Sequence, residues 1–253
     1  MGFGYNANSR GKVRFLKRTY PLLLCLILVG TFGRAQDKPA DGPFRNQNGG
    51  LEKVLSQLDS TAAEFRSAQA DFVWEQYQKV VNETDTQKGK VYFRRVGKDT
   101  QMMAHITEPS EKFVLYSDGK VQVYEPKIDQ VTVYPVGKNR ADVESFLVLG
   151  FGGRGHDLLK SFEVKYLGTE NINGVQAAKL DLTPKSERIR GMFEHILMWV
   201  DLARGVSVQQ QVFQPGGDYR LAKYSDIQLN QKLPDNMFKL KTTGKTKTVT
   251  PQG

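Results

Sequence analysis

The first periodic segment of the chain is an amphipathic helix that begins at Leu51. Its apolar residues recur three and four positions apart, which is the spacing of one face of an α-helix. The residues between them are mostly charged or polar. An isolated helix of this length is marginal in water, so the apolar stripe must pack on another apolar surface. The stripe consists of Leu51, Val54, Leu55, Leu58, Ala62 and Phe65.

After Ala70 the pattern changes to short strands separated by turn residues. Asp118-Gly119 and Asn173-Gly174 are typical of tight hairpins. Such short connections favour an antiparallel meander over parallel strands joined by crossover helices. The candidate strands are residues 71–81, 89–96, 101–107, 112–117, 120–124, 130–135, 162–170, 177–183, 195–201, 206–214, 219–228 and 238–242.

A short helical insertion interrupts the strands. Residues 141–149 and 156–160 have helical patterns, and a glycine-rich link over 150–155 joins them. Glycine adopts positive φ without steric strain, so the link is predicted to bend freely. One helix, one long sheet and one helical insertion together predict a single domain over residues 51–242.

The first 35 residues predict a secretory signal peptide. A basic segment precedes an apolar run over 21–32, and Gly33-Arg34-Ala35 follows it. The run is shorter than the roughly 20 residues that span a bilayer. Cleavage near Ala35 and export across the membrane are therefore expected, with an uncleaved N-terminal anchor as one alternative. Cys25 leaves a second alternative open, a lipoprotein signal in which this cysteine is acylated.

Removal of the signal peptide changes the charge of the chain. Six of the 36 basic residues and none of the 27 acidic residues precede Gln36, so the formal net charge falls from +9 to +3. A nearly neutral body gives no electrostatic reason to expect a nucleic-acid partner. The mature chain has no cysteine, which excludes thiolate chemistry.

A flexible leader is predicted over 36–50 and a disordered tail over 243–253.

No motif for catalysis is found in the sequence. His105, His156 and His195 do not stand in a metal-ligand spacing, and no G-x-S-x-G motif is present. We therefore predict no catalytic residue, no metal and no cofactor. A hydrolase of unassigned chemistry remains the third hypothesis for this chain.

The alternation within the strands leaves two interpretations of their apolar faces open. Met102, Ala104 and Ile106 share one face, as strand geometry requires of alternate residues. The strand over 195–201 is apolar on both faces. Such surfaces either form an ordinary core beneath the helices or line a cavity for acyl chains.

Arg95 extends the apolar face that Val91 and Phe93 begin. A guanidinium that is covered at such a position needs hydrogen-bond acceptors. It either reaches water at the rim of the sheet or binds carbonyls at the ends of overlying helices. Its five donors in a fixed geometry suit the second role.

The order of several short motifs resembles one family. LYSDGK begins at Leu115, YEP at Tyr124 and IDQV at Ile128; the other motifs are Gly89 with Arg94-Arg95, Glu108-Pro109, LDLTPK over 180–185, and Asn236-Met237-Phe238. In this order, after a signal peptide, they resemble the LolA-like outer-membrane lipoprotein carriers. The resemblance covers most of residues 51–240.

The resemblance implies a mainly β fold, an incomplete and strongly curved antiparallel β-barrel of about 10–12 strands with a helical lid over its concave face. It implies a monomer that binds the acyl chains of lipoproteins or lipids without covalent chemistry. Such a carrier accepts its cargo from an inner-membrane lipoprotein-releasing transporter and passes it to an outer-membrane receptor. The second hypothesis is a lipid-sensing or envelope-stress sensor module of the same fold, without a transport role.

The resemblance also assigns residues. Arg95 corresponds to the family arginine that links lid and barrel, the lid latch. Val96 stands where a proline is common. Ala104 stands where an aromatic residue is common, and this second departure implies an interior of different shape and therefore a different cargo. The predicted lipid-binding cavity is lined by Phe72, Trp74, Val91, Phe93, Met102, Ala104, Ile106, Leu115, Val123, Phe146, Leu149, Ile196, Met198 and Val200.

Overall fold

A computed structural model describes residues 47–97, 99–137 and 140–251 of the protein. The predicted signal peptide over 1–35, Cys25 and residues 36–46 of the predicted leader lie outside the described residues. Among those described, no helix is both long and apolar enough to cross a membrane.

Twelve strands in the described part of the chain form one sheet. Their alternating side chains divide between two faces, as the sequence pattern predicts. The strands are β1 (Ser67–Gln78), β2 (Glu83–Val96), β3 (Asp99–Glu108), β4 (Lys112–Ser117), β5 (Lys120–Glu125), β6 (Gln130–Pro135), β7 (Phe162–Ile172), β8 (Val175–Pro184), β9 (His195–Asp201), β10 (Val206–Phe213), β11 (Tyr219–Leu229) and β12 (Lys247–Val249).

The sheet has the order β12-β6-β5-β4-β3-β2-β1-β11-β10-β9-β8-β7. Neighbouring strands are antiparallel except β12 and β6, which are parallel. Strands β7 and β12 do not pair with each other, so the curved sheet stays open. The predicted fold class, an incomplete antiparallel barrel, is confirmed.

Two-residue turns fix the register of the hairpins. Asp118 and Gly119 have φ of 54° and 67°, and Asn173 and Gly174 have φ of 51° and 87°. Positive φ at both central residues matches the right-handed twist of the flanking strands. The first turn places Ser117 opposite Lys120, which determines the face of every residue in β4 and β5.

Helices lie before the sheet and within the chain connections. The helices are α1 (Gln47–Glu64), α2 (Arg140–Leu147), α3 (Gly155–Ser161) and the short α4 (Glu187–Arg190). Helix α1 begins four residues before the predicted position, inside the predicted leader. In its apolar stripe, every residue except the half-buried Leu51 is buried. We use "lid" for α1, α2, α3 and the link over 148–154.

The C-terminal part of the chain differs from the prediction. Residues 238–242 are not a strand; Phe238 ends a 3-10 turn at Asp235–Phe238, and the last strand is β12. The tail over 243–253, predicted to be disordered, contains that strand. The Thr243 and Thr246 hydroxyls donate hydrogen bonds to the Asp129 carboxylate at 2.8 and 2.6 Å. These side-chain contacts hold the tail beside β6.

Candidate functional site

The concave face of the sheet brings most of the predicted cavity residues together in two adjoining apolar clusters. The first cluster contains Phe72, Val91, Phe93, Met102, Ala104, Ile106 and Val123, with the partly buried Trp74 packed against it. The second contains Leu149, Ile196, Met198 and Val200. Their use as a lipid-binding surface stays a prediction.

Two of the predicted cavity residues lie elsewhere. Leu115 belongs to the opposite face, where it packs with Met103 and Phe238. The reason is alternation, because its neighbours Val114 and Tyr116 occupy the concave face. Phe146 lies on the outside of the lid, is 38% exposed and contacts Phe193.

The prediction missed other residues of the concave face. Val114 and Tyr116 of β4 and Val121 of β5 belong to the first cluster. Leu180 and Leu182 of β8 belong to the second. The hairpin at Asp118-Gly119 was a signal for the first three, because it pairs Tyr116 with Val121 and Val114 with Val123.

The lid fills the centre of the concave face with Phe151. This ring is 1% exposed, stacks on Phe93 at 4.8 Å between centroids and meets the edge of Tyr224 at 4.9 Å. Burial raises the pKa of Tyr224 to about 12. The apolar face is therefore covered by lid side chains, and an acyl chain would need the place that Phe151 occupies.

The link between α2 and α3 is packed and hydrogen-bonded, whereas the sequence predicts a freely bending connector. The Gln210 side-chain amide donates to the Leu149 carbonyl at 2.6 Å, and the Ser207 amide donates to the Gly150 carbonyl at 2.9 Å. A Cβ at Gly152, with φ of 84°, would lie 2.4 Å from the Phe65 ring. The absence of a side chain here permits close approach.

Arg95 joins two separate parts of the lid at the rim of the sheet. Its Nη1 donates to the Ala62 carbonyl and its Nη2 to the Gly152 carbonyl, both at 2.8 Å. Ala62 belongs to the last turn of α1, where carbonyls lack helical partners and a cation is favourable. Arg95 remains exposed to water, so it both reaches the rim and binds one carbonyl at the end of α1 and one in the link between α2 and α3.

A cluster of charged side chains connects α1 to α3. Asp59 of α1 accepts a hydrogen bond from the His156 ring at 2.5 Å, and Glu52 lies 3.3 Å from the same ring. Arg154 lies 3.8 Å from the Asp59 carboxylate. The hydrogen bond to Asp59 raises the pKa of His156. Burial by itself would raise the pKa of Asp59, but its hydrogen bonds with His156 outweigh burial and lower it.

These shifts predict a pH-dependent contact between α1 and α3. A raised His156 pKa means that its contribution is complete below the ordinary value of 6.5 and is lost as pH rises through the higher value. Wild type and His156→Gln should therefore differ in the hydrogen exchange of α1 most at mildly acidic pH. The difference should shrink as pH rises. A difference that grows with pH would contradict the ion pair.

The geometry defines a class of protein: an open antiparallel barrel whose apolar concave face is closed by helices, with an arginine joining lid and rim. The sequence identifies the family within this class. A family model described as "Outer membrane lipoprotein carrier protein LolA" matches residues 63–241. The chain belongs to the LolA family.

Solved structures resemble the chain at low sequence identity. An uncharacterized conserved protein from Thermus thermophilus has 11% identity and a TM-score of 0.51, over 79% of this chain and 98% of that one. Mycobacterium tuberculosis lipoprotein LppX has 12% identity and a TM-score of 0.47, over 74% and 98%. A chain of the Pseudomonas aeruginosa MucA/MucB complex has 14% identity and a TM-score of 0.46, over 75% and 60%. No curated protein matches the chain in sequence.

Proposed function

We propose that this protein is a periplasmic carrier that binds the acyl chains of lipoproteins or lipids on its concave face and delivers them toward the outer membrane. Membership of the LolA family and the two apolar clusters beneath the lid support this proposal. Burial of each methylene contributes about 0.8 kcal/mol. Once the lid uncovers it, a surface of this kind would hold acyl chains out of water.

The observation on which the proposal rests is the pair of hydrogen bonds from Arg95. They join the end of α1 to the link beside Phe151, so a single side chain fixes two lid parts over the apolar face. Closure of the lid and binding of acyl chains then compete for the same surface. A partner that displaces Arg95 from its two carbonyls would change the affinity for cargo without an energy source in the carrier itself.

The proposed partners follow from this exchange. An inner-membrane lipoprotein-releasing transporter would supply cargo to the opened lid, and an outer-membrane receptor would accept it when the lid closes. The carrier would act as a monomer, because its concave face is already covered by its own helices. Neither step requires a covalent reaction.

Native mass spectrometry of the mature protein purified from its own envelope tests the proposal. We expect a population that retains lipid or lipoprotein acyl chains, since the concave face offers them an apolar surface. The bound mass should disappear after extraction with organic solvent. A protein that carries no lipid, and that also fails to bind acyl-chain probes, would contradict the carrier function.

A further inference from the structure

One lysine is buried at an end of the concave face that the lipid-binding proposal does not use. Lys112 is the first residue of β4 and its side chain is 8% exposed. Val114 and Tyr116, two and four residues further along, belong to the concave cluster, so Lys112 shares their face. Lysine is almost never buried to this degree without a partner for its charge.

The partner in the structure is the carboxylate of Glu125, the last residue of β5. The two charged atoms are 3.4 Å apart, beyond the roughly 2.7–2.9 Å of a charge-assisted hydrogen bond. Among the described residues, the Lys112 ammonium donates no hydrogen bond that meets normal geometry. An ammonium has three donors, so this one retains capacity for another anionic oxygen.

The two members of the pair differ in their access to water. The Glu125 side chain is 27% exposed, against 8% for Lys112. Glu125 is therefore able to turn toward water and be solvated, whereas Lys112 remains in place as a buried cation. A buried charge that loses its partner is strongly unfavourable, which makes Lys112 a fixed site for a replacement anion.

The surroundings of Lys112 define the shape of the ligand. Along β4 and its neighbours, the concave face continues as Val114, Ala104 and Val123, all buried and apolar. In register, Lys112 is level with Ile106 and Gly89. Gly89 lies six residues before Arg95 on β2, so Lys112 and Arg95 are separated by about 20 Å along the strands. The concave face is thus a long apolar surface with the charged side chain of Lys112 at one end.

We infer that Lys112 binds the anionic head group, a carboxylate or a phosphate, of an amphiphile whose chain lies along the concave face, with Glu125 as the counter-ion that it displaces. This inference rests on the proposed function, because it adds a head-group site to the proposed acyl-chain surface. It also gives the surface a direction, with the polar head at Lys112 and the chain toward the lid.

Paired ligands test the inference. The mature protein is titrated with cis-parinaric acid and with its uncharged methyl ester at a pH of about 8, where the fatty acid is ionised. A second pair, 1-acylglycerol phosphate and 1-acylglycerol, tests the phosphate head group by displacement of the ester. A hydrogen bond to a charged group predicts a preference of about tenfold for the charged member of at least one pair.

Variants then locate the preference. In Lys112→Met, the ratio of affinities for the charged and the uncharged ligand should fall to about one, while the affinity for the uncharged ligand is kept. In Glu125→Gln, which retains a polar side chain, this ratio should increase. Lys90→Met is the matched control, because Lys90 lies on the other face of the sheet beside Asp71. The Lys90→Met protein should prefer the charged ligand as strongly as wild type does. If Lys112→Met does not fold, the increase in Glu125→Gln still tests the site.

Contradictory outcomes separate the inference from the proposed function. Equal binding of charged and uncharged ligands by wild type, or a preference that persists in Lys112→Met, would overturn the head-group site and leave the carrier proposal intact. Displacement of parinaric acid by inorganic phosphate alone would also overturn it, since the site would then bind a free anion. Failure of all four amphiphiles to bind would contradict the carrier proposal itself.

Discussion

Replacing Phe151 with alanine is expected to lower the free energy of unfolding by about 3–5 kcal/mol and to raise the affinity for an apolar probe. The ring is 1% exposed, stacks on Phe93 and meets the edge of Tyr224. Its removal leaves a gap between the lid and the concave face, which the surrounding side chains fill only in part. The same change therefore weakens the fold and opens space for a ligand.

Two measurements on the Phe151→Ala protein test this pair of effects. Urea unfolding gives the loss of free energy, and titration with diphenylhexatriene gives the affinity for an apolar probe. Phe146→Ala is the matched control, because Phe146 lies in the same segment but is 38% exposed; it should change both values little. A Phe151→Ala protein with wild-type stability would show that the lid does not pack tightly on the sheet.

Much of the sheet could be predicted from sequence, because alternation and tight turns are local signals. The error at Leu115 shows how far such signals reach. The two-residue turn at Asp118-Gly119 pairs Val114 with Val123, so a prediction that places Val123 inside must also place Val114 inside and Leu115 outside. The sequence therefore contained the information needed to place Leu115. The hairpin register had to be combined with strand alternation to obtain it.

The lid was less predictable, because its structure depends on contacts between distant segments. The glycine-rich link predicts flexibility when it is considered alone. In the structure, Gly155 lies so close to α1 that a Cβ would be 2.2 Å from the Leu55 carbonyl oxygen, and Gly152 lies against Phe65. Close backbone approach and flexible connection both require glycine, and the local sequence does not distinguish them.

The C-terminal tail was unpredictable for a related reason. Its strand has only three residues, Lys247–Val249, and lacks an alternating pattern. The contact that holds it, from Thr243 and Thr246 to Asp129, joins residues more than a hundred positions apart. For Arg95, the position on an apolar face left a solvated side chain and a bridge to carbonyls both open, and the family resemblance favoured the bridge. Its particular acceptors, Ala62 and Gly152, could not be predicted.

Replacing Arg95 with leucine is expected to leave the sheet folded, to loosen the lid and to slow the release of cargo. The variant loses two hydrogen bonds from a charged donor, to Ala62 and Gly152. Their loss should destabilise the closed lid by about 1–3 kcal/mol, allowing for the partial exposure of the arginine. In the proposed function, lid closure and acyl chains compete for the concave face, so a weaker closed state should favour the cargo-bound state.

Hydrogen exchange and lipid transfer measure the two sides of this competition. Amides near the end of α1 should exchange about tenfold faster for each 1.4 kcal/mol lost, while amides in β1 and β10 keep their wild-type protection. Transfer of a bound fluorescent fatty acid to acceptor vesicles should be slower than in wild type. Arg94→Leu is the matched control on the same strand, because Arg94 bonds Asp235 on the opposite face. Wild-type exchange and transfer rates in Arg95→Leu would exclude a latch role, because the lid would then be held by its apolar contacts alone.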